Sequence, residues 1–324
     1  MKNELLLPYI RAVTYEDKLS LPKFSYSKIE QFLNCPMAYN FKYNQGFTTF
    51  DTSLALELGS LLHKVLEVKG HMIRDGGGID QTILDKLIQD GIIDTDEKTR
   101  EQLLGVNDLK KKYWEAWDEP DSEGATYRDK LNTFNHVLEI EMTDSDWIPI
   151  AFEQPFEFVW DNKYIIHGFI DRVDQKDGHY RVIDYKTSKK VFDEKKLPTS
   201  LQFGIYAIAC LMMYGEIPVE YQYRFILLDK SQKALTIGWE KRLIKKLNDV
   251  FAKIEERGEN KLWEPKPSPL CHFCNYCNTN PNAKDFKHKC EYYSLWTPSN
   301  KTFEKNKEWD PSNNDKPKRQ LLIF

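Results

Sequence analysis

Three alternating segments between residues 151 and 186 limit the possible folds more than anything else in the sequence. "AFEQPFEFVW" and "YIIHGFIDRVD" alternate apolar and polar residues with a period of two. Asp161-Asn162 lies between them and suits a tight hairpin turn. Lys176-Asp177-Gly178 then turns the chain into "YRVIDYK". The pattern predicts an antiparallel meander of three strands. Helical spacing of Leu58, Leu61, Leu62, Val65 and Leu66 predicts a helix within 54–74. Further helices are expected at roughly 198–214 and 240–257, with strands around 219–229 and 234–239. Ser25 or Ser27 suits the cap of a helix carrying Ile29, Phe32 and Leu33, which Pro36 breaks or restarts.

The chemistry sits at the ends of these strands. Asp171 closes one apolar run and Asp184 the next, and a carboxylate at a buried strand end is costly without a cation. Two such groups aimed at one spot form a hard-oxygen site suited to Mg²⁺ or Mn²⁺. Lys186 follows Asp184 by two residues, so both emerge on one strand face. There its amine can stabilise negative charge developing on phosphorus, and the set meets the needs of metal-assisted phosphodiester hydrolysis. The plain alternative is a strand-end ion pair. His63 has Glu67 one helical turn later and Gly59 one turn before. Gln202 and Tyr206 are four apart and share one helix face. Core packing is the competing reading of His63, Gln202 and Tyr206.

Composition restricts the partners. The 324 residues carry 41% hydrophobic and 13% aromatic side chains, enough for a sizeable core. A net charge of −4 argues against a protein that coats nucleic acid, but leaves room for a local basic groove. No apolar run approaches the roughly 20 residues of a membrane span, and the start lacks the features of a secretory signal. The chain therefore reads as soluble and intracellular. Its six cysteines then read as thiols or metal ligands rather than disulfides. "CHFCNYC" sets Cys271, Cys274 and Cys277 two residues apart in a proline-flanked loop, with Cys290 farther on. That spacing points to zinc or to an iron–sulfur cluster, with His272 and His288 as further zinc ligands. Cys210 lies in an apolar helical stretch and reads as packing.

Together these segments resemble the RecB-type members of the PD-(D/E)XK nuclease superfamily. Four motifs occur in the family's order: Gly59 to His63, Gly168 to Asp174, Asp184 to Lys186, and Gln202 to Tyr206. The likeness covers roughly 24–294. It implies an α/β restriction-endonuclease-like core, a central mixed sheet flanked by helices. A helical insertion at about 78–145 and a cysteine-cluster loop would be added to that core. It implies that His63, Asp171, Asp184 and the Tyr185 carbonyl ligate Mg²⁺ or Mn²⁺. Lys186 would be the catalytic lysine, with Gln202 and Tyr206 orienting the site and the strand; Glu153 is possible support only. The iron–sulfur-bearing relatives, AddB-type and CRISPR adaptation nucleases, suggest a [4Fe–4S] cluster on Cys35, Cys271, Cys274 and Cys290. Cys277 is the alternative fourth ligand and Zn²⁺ the alternative metal. The spacing between Cys277 and Cys290 departs from the usual pattern.

The expected organisation is a loosely ordered leader over 1–23, a nuclease domain over 24–296 with the cysteine cluster at 271–290, and a flexible tail over 297–324. Lys189 and Lys190 could track phosphates, as could Lys195 and Lys196; a solvated loop is the alternative. Aromatics in "EYYSLW" and "FKYNQGF" could stack on unpaired bases or simply pack the core. The terminal Gln320-Leu321-Leu322-Ile323-Phe324 resembles peptides that bind sliding clamps, and Gln320, Leu321 and Phe324 would be its anchors. The absence of a G-x-x-x-x-G-K-[ST] loop leaves any helicase activity to a partner. The expected function is a metal-dependent DNA exonuclease on single strands or ends, in recombination, repair or replication. It would act in the cytoplasm of a bacterial or phage-infected cell. Three readings compete: a catalytically inactive cluster-bearing DNA-binding subunit, an endonuclease of the same superfamily, and an RNA substrate.

Overall fold

The alternation read from the sequence becomes the centre of a mixed sheet in a computed structural model. It describes residues 4–48, 63, 66, 67, 70, 146–188, 190–228, 230–234, 239–277, 280, 286, 289–292, 294–297 and 302–305. Gly59, the 78–145 insertion, Lys189, His288 and the terminal peptide lie outside the described residues. The chain forms two compact units, Met1–Lys23 with Leu54–Leu243 and Phe24–Ser53 with Ile244–Phe324.

In the first unit, β3 (Ile148–Trp160) and β4 (Tyr164–Lys176) pair antiparallel up to Trp160 and Tyr164. Asp161 and Asn162 both take positive φ, 50° and 53°, and with Lys163, whose N–H donates to the Trp160 carbonyl, they form the three-residue hairpin link. Asp177 and Gly178 turn the chain again with φ of 49° and 82°, and β5 (His179–Lys186) returns antiparallel to β4. β6 (Glu220–Phe225) runs parallel to β5, which requires a crossover. Helix α4 (Leu201–Tyr214) supplies it. β7 (Lys230–Ala234) finishes antiparallel to β6, a few residues before the expected 234–239. The order is β1-β3-β4-β5-β6-β7, with β1 at Ile10–Arg11 and a further strand, β2 (Lys23–Phe24), making seven.

Residues 4–23 of the expected loose leader, over 1–23, are ordered. β1 pairs with Val159 and Trp160 of β3, the Asp161 N–H donates to the Tyr9 carbonyl at 2.7 Å, and Tyr9 stacks on Trp160. Helix α1 (Tyr15–Ser20) opens with a reciprocal cap between Thr14 and Asp17. Asp17 also accepts from the Arg11 guanidinium at 2.5 and 2.8 Å. Short elements held by polar side chains leave little hydrophobic period to read.

Helix α4 is starved of polar residues because the protein surrounds it. Every residue from Leu201 to Leu211 is buried. The Ser200 side chain accepts from the Phe203 N–H at its start, and Gly215 at φ 79° ends it. By length and apolar composition 194–214 would also pass as a membrane span, unlike the expectation that none exists; 65% of the relevant window is buried inside the protein, as in a core helix. Phe203 packs among Tyr206, Tyr221 and Tyr223. The helical residues His63 and Gly70 lie against β3. A Cβ at Gly70 would meet the Phe152 ring at 2.1 Å, so a close approach needs glycine there.

Beneath the strand ends lies a buried ionic network. Asp174 accepts from Arg172 Nε at 2.6 Å and from Arg181 Nε at 2.9 Å; exposures are 0% for Asp174 and Arg172 and 3% for Arg181. The guanidiniums also lie over the Phe152 and Trp147 rings.

In the second unit, α2 (Tyr26–Asn34) is capped by Ser25, whose oxygen accepts from the Lys28 N–H. Cys35 is extended at φ −161°, and α3 (Pro36–Tyr39) restarts the helix, as Pro36 suggested. Phe32, Tyr39 and Trp263 form an aromatic cluster. Helix α5 (Glu240–Asn260) carries Phe251 against Phe24.

Replacing Asp174 by Ala removes the carboxylate that joins the two buried guanidiniums, leaving Arg181 its longer contact with Glu220 at 3.8 Å, and should cost about 3–5 kcal/mol in urea unfolding. Gly70→Ala should cost about 1–3 kcal/mol by the same measurement, because its methyl group overlaps the Phe152 ring.

Candidate active site and cysteine centre

Midway along β3 and β4, and near the C-terminal end of β5, Glu153, Asp171 and Asp184 gather with the other groups read as chemical. His63 Nδ1 lies 3.4 Å from Glu153 Oε1 and 3.5 Å from Asp171 Oδ2. One ligand atom from each of these three residues lies within 4.8 Å of the others. Asp171 Oδ2 also accepts the Tyr185 N–H at 2.7 Å, which ties β4 to β5 where their ladder ends. Asp184 follows on the opposite strand. Its Oδ1 accepts from Gln202 Nε2 at 2.7 Å and from the Tyr206 hydroxyl at 3.2 Å. Gln202 Nε2 also reaches Tyr206 at 3.0 Å, so both α4 residues serve one carboxylate.

Lys186 Nζ lies 2.6 Å from Asp184 Oδ2 and donates to Gln202 Oε1 at 3.3 Å. Asp184 Oδ2 itself is buried and makes no aligned hydrogen bond, despite the nearby ammonium. The contact is charge pairing, and the oxygen's lone pairs stay available to a further cation. Tyr185 points its ring edge at His63 with centroids 6.2 Å apart, and its hydroxyl accepts from Arg172 at 3.5 Å.

Crowded carboxylates dominate the electrostatics. Burial, then the negative charge of Asp184, holds the Asp171 carboxyl well above the usual carboxylate range. Burial would lower the His63 imidazolium. The hydrogen bond to Glu153 and the charges of Asp171, Glu153 and Asp184 outweigh it and raise the pKa to about 9. The His63 shift depends on an ionised Asp171, whose own carboxyl is pushed up, so the two groups titrate together. Burial, then the charges of Asp184 and Asp171, pushes Tyr206 far up, so its hydroxyl remains a donor.

Glu153, expected only as support, is a full member of the three-residue group, and it sits in a strand at φ 43°. Such a conformation is uncommon for a residue with a side chain and often marks a functional constraint. The ladder records Phe152↔Arg172 and Gln154↔Ile170 but no Glu153↔Asp171 pair, so the irregularity falls opposite Asp171. The sequence shows a carboxylate two residues before Pro155 and nothing of its backbone. Lys190 is exposed beside Ser188, and Lys195 and Lys196 lie in a short 3-10 turn, Glu194–Thr199. Cys210 is wholly buried in α4, as packing requires.

In the second unit five cysteines meet. The Cys274 N–H donates to the Cys271 carbonyl and the Cys277 N–H to the Cys274 carbonyl, so each two-residue gap is one tight turn. Ser268 caps the first turn and donates its N–H to Cys271 Sγ at 3.5 Å. The Cys290 N–H donates to the Tyr276 carbonyl at 2.8 Å, and the backbones of Cys277 and Cys290 pair in a single parallel strand-like contact, both thiols remaining free. Cys35 joins from the α2–α3 break, its thiol accepting from the backbone of Ala38 and Lys266. Burial raises Cys35 to about 11. Hydrogen bonds to Cys271, Cys274 and Cys290 raise Cys277, while the one between Cys277 and Cys274 lowers Cys274. A cavity of about 260 Å³ is lined by all five.

Comparison with known proteins agrees with the geometry. The gene 69 protein of Mycobacterium phage D29 is 33% identical over 144 residues, 41% of this chain and 49% of that protein. An ATP-dependent helicase/deoxyribonuclease subunit of Clostridium tetani is 26% identical over 212 residues, 59% of this chain and 17% of that protein. The matched stretch thus spans about half of the phage relative and under a fifth of the clostridial one. The PD-(D/E)XK nuclease superfamily profile matches residues 23–279. By that match, the chain belongs to the PD-(D/E)XK nuclease superfamily.

Proposed function

We propose that this chain is a metal-dependent deoxyribonuclease that removes nucleotides from single strands or DNA ends during recombination, repair or replication. The observation that carries the reading is the meeting of His63, Glu153 and Asp171 within 4.8 Å, with the Asp184–Lys186 pair alongside, in a chain of this superfamily. His63, Asp171 and Asp184 would hold Mg²⁺ or Mn²⁺ with Glu153, and the Tyr185 carbonyl is a further candidate ligand. The donor set is hard oxygen plus one imidazole, which suits the same ions. Such a cation supplies Lewis-acid stabilisation to a phosphodiester.

The rest belongs to the side chains. Gln202 and Tyr206 fix the orientation of Asp184 by donating to one of its oxygens. Lys186 holds a positive charge beside Asp184, where charge grows on phosphorus in the transition state. His63 must lose its proton before it can act as a ligand, so cation and proton compete for it.

For the second unit we infer a [4Fe–4S] cluster on Cys35, Cys271, Cys274 and Cys290, with Cys277 the alternative fourth ligand and Zn²⁺ the alternative metal. The five-thiol chamber supports it. Among partners, the clostridial relative's name includes a helicase, and a helicase partner is the natural source of unwound strands for this chain. Docking to a sliding clamp through Gln320, Leu321 and Phe324 is part of the same proposal.

Labelled linear DNA should be degraded by wild type with Mg²⁺ or Mn²⁺. Asp184→Ala should slow this by more than about 100-fold, beyond the usual loss when only a ligand's hydrogen-bond partner is changed. Equal rates would refute the site assignment. Lys186→Gln should keep Mn²⁺ affinity, read by calorimetry, while losing turnover. Sparing of covalently closed circles separates end-dependent cleavage from an endonuclease. Protein purified without oxygen should be brown, with broad absorption near ~400 nm and iron bound by the thiolates. Cys290→Ser should bleach it more than Cys277→Ser; a colourless zinc protein would overturn the cluster.

A further inference from the structure

β4 buries its large apolar residues with one exception. Ile165, Ile166, Ile170 and Val173 are 0% exposed and Tyr164 is 6% exposed, yet Phe169 is 58% exposed. The strand lies inside the sheet, between β3 and β5. Phe169 is registered with Pro155, which is also exposed. Registered partners face one side of a sheet, so the two form a small apolar ledge. By alternation it faces away from Phe156, whose ring packs on Tyr206.

The position of the ledge gives it meaning. Phe169 precedes Asp171 by two residues and Pro155 follows Glu153 by two, a step of about 7 Å along each strand. The ledge is therefore next to the group that would hold the scissile phosphate. Within that group His63 and Glu153 keep side-chain exposures of 29% and 26%, so it is open to solvent.

We propose that Phe169, backed by Pro155, is a stacking platform for an unpaired base of the substrate strand, next to the phosphate being cut. The proposal rests on the nuclease reading above and narrows its substrate. A base inside a duplex has both faces stacked on neighbours and cannot lie on the ring; a duplex exposes a base face only at its terminal pair, whereas a single strand exposes one at every position, so the platform favours a single strand. Stacking tolerates any base, because each has a π-face, and sequence selectivity is not expected.

The test pairs a protein change with a DNA change. Wild type, Phe169→Ala and Phe169→Trp are compared on a single-stranded oligodeoxynucleotide and on the same strand with one abasic position moved along its end. Phe169→Ala should raise KM about tenfold, within the range expected for one lost base stack, with a smaller change in kcat, and Phe169→Trp should restore it. One abasic position should cost wild type a similar factor and the Ala variant nothing. An unchanged KM in Phe169→Ala, or an abasic penalty equal in wild type and variant, overturns the proposal. So does a lowered melting temperature in Phe169→Ala, which would make the ring a packing residue. Fluorescence anisotropy of the same strands, in an Asp184→Asn background, repeats the comparison without cleavage. If wild type cuts no DNA, the nuclease reading fails, and the anisotropy series still decides whether Phe169 meets a base.

Discussion

Like charges forced together on β3, β4 and β5 set the terms for the structure around them. Glu153, Asp171 and Asp184 bring negative charge to one partly buried place, and nothing apolar can relieve it. Each surrounding element answers that repulsion. His63 contributes an imidazole, Lys186 an ammonium, the Tyr185 amide a fixed dipole, and α4 two neutral donors. A group that is only partly compensated keeps residual negative charge, and that charge is the physical basis of the divalent cation proposed for it.

The scaffold keeps that compromise rigid. Tyr185 donates its amide to Asp171 and anchors its phenol on Arg172, which belongs to the buried network with Asp174 and Arg181. The same strands thus carry a negative cluster at one place and a balanced ionic core at another. Gly70 permits the helix of His63 to lie against Phe152, one residue before Glu153. A residue with no side chain is as much part of the site as those with ligand atoms.

Much of this was legible in the sequence because it follows from period and spacing. Alternation gave the meander, Asp161-Asn162 and Asp177-Gly178 marked its turns, and a four-residue gap placed Gln202 and Tyr206 on one helix face. Two-residue gaps marked the cysteine turns. Backbone irregularity carried no such signal. Glu153 owes its place to a left-handed conformation inside a strand, and nothing in "AFEQP" announces it. Residues 4–23 misled for another reason. Their order rests on a cap, an ion pair and a ring stack, which are single contacts rather than a repeating pattern.

The cysteine unit takes residues from both sides of the long segment between 53 and 244. During synthesis Cys35 leaves the ribosome well over 200 residues before Cys271, so it must wait as a lone thiol while the whole sheet is made. Contacts of such long range form slowly and late. A polypeptide cut short ahead of Cys271 would still own the strands that carry Asp171 and Asp184, yet have no means to close this second unit. A finished thiol chamber is thus a record that translation has already passed the strands that carry Asp171 and Asp184.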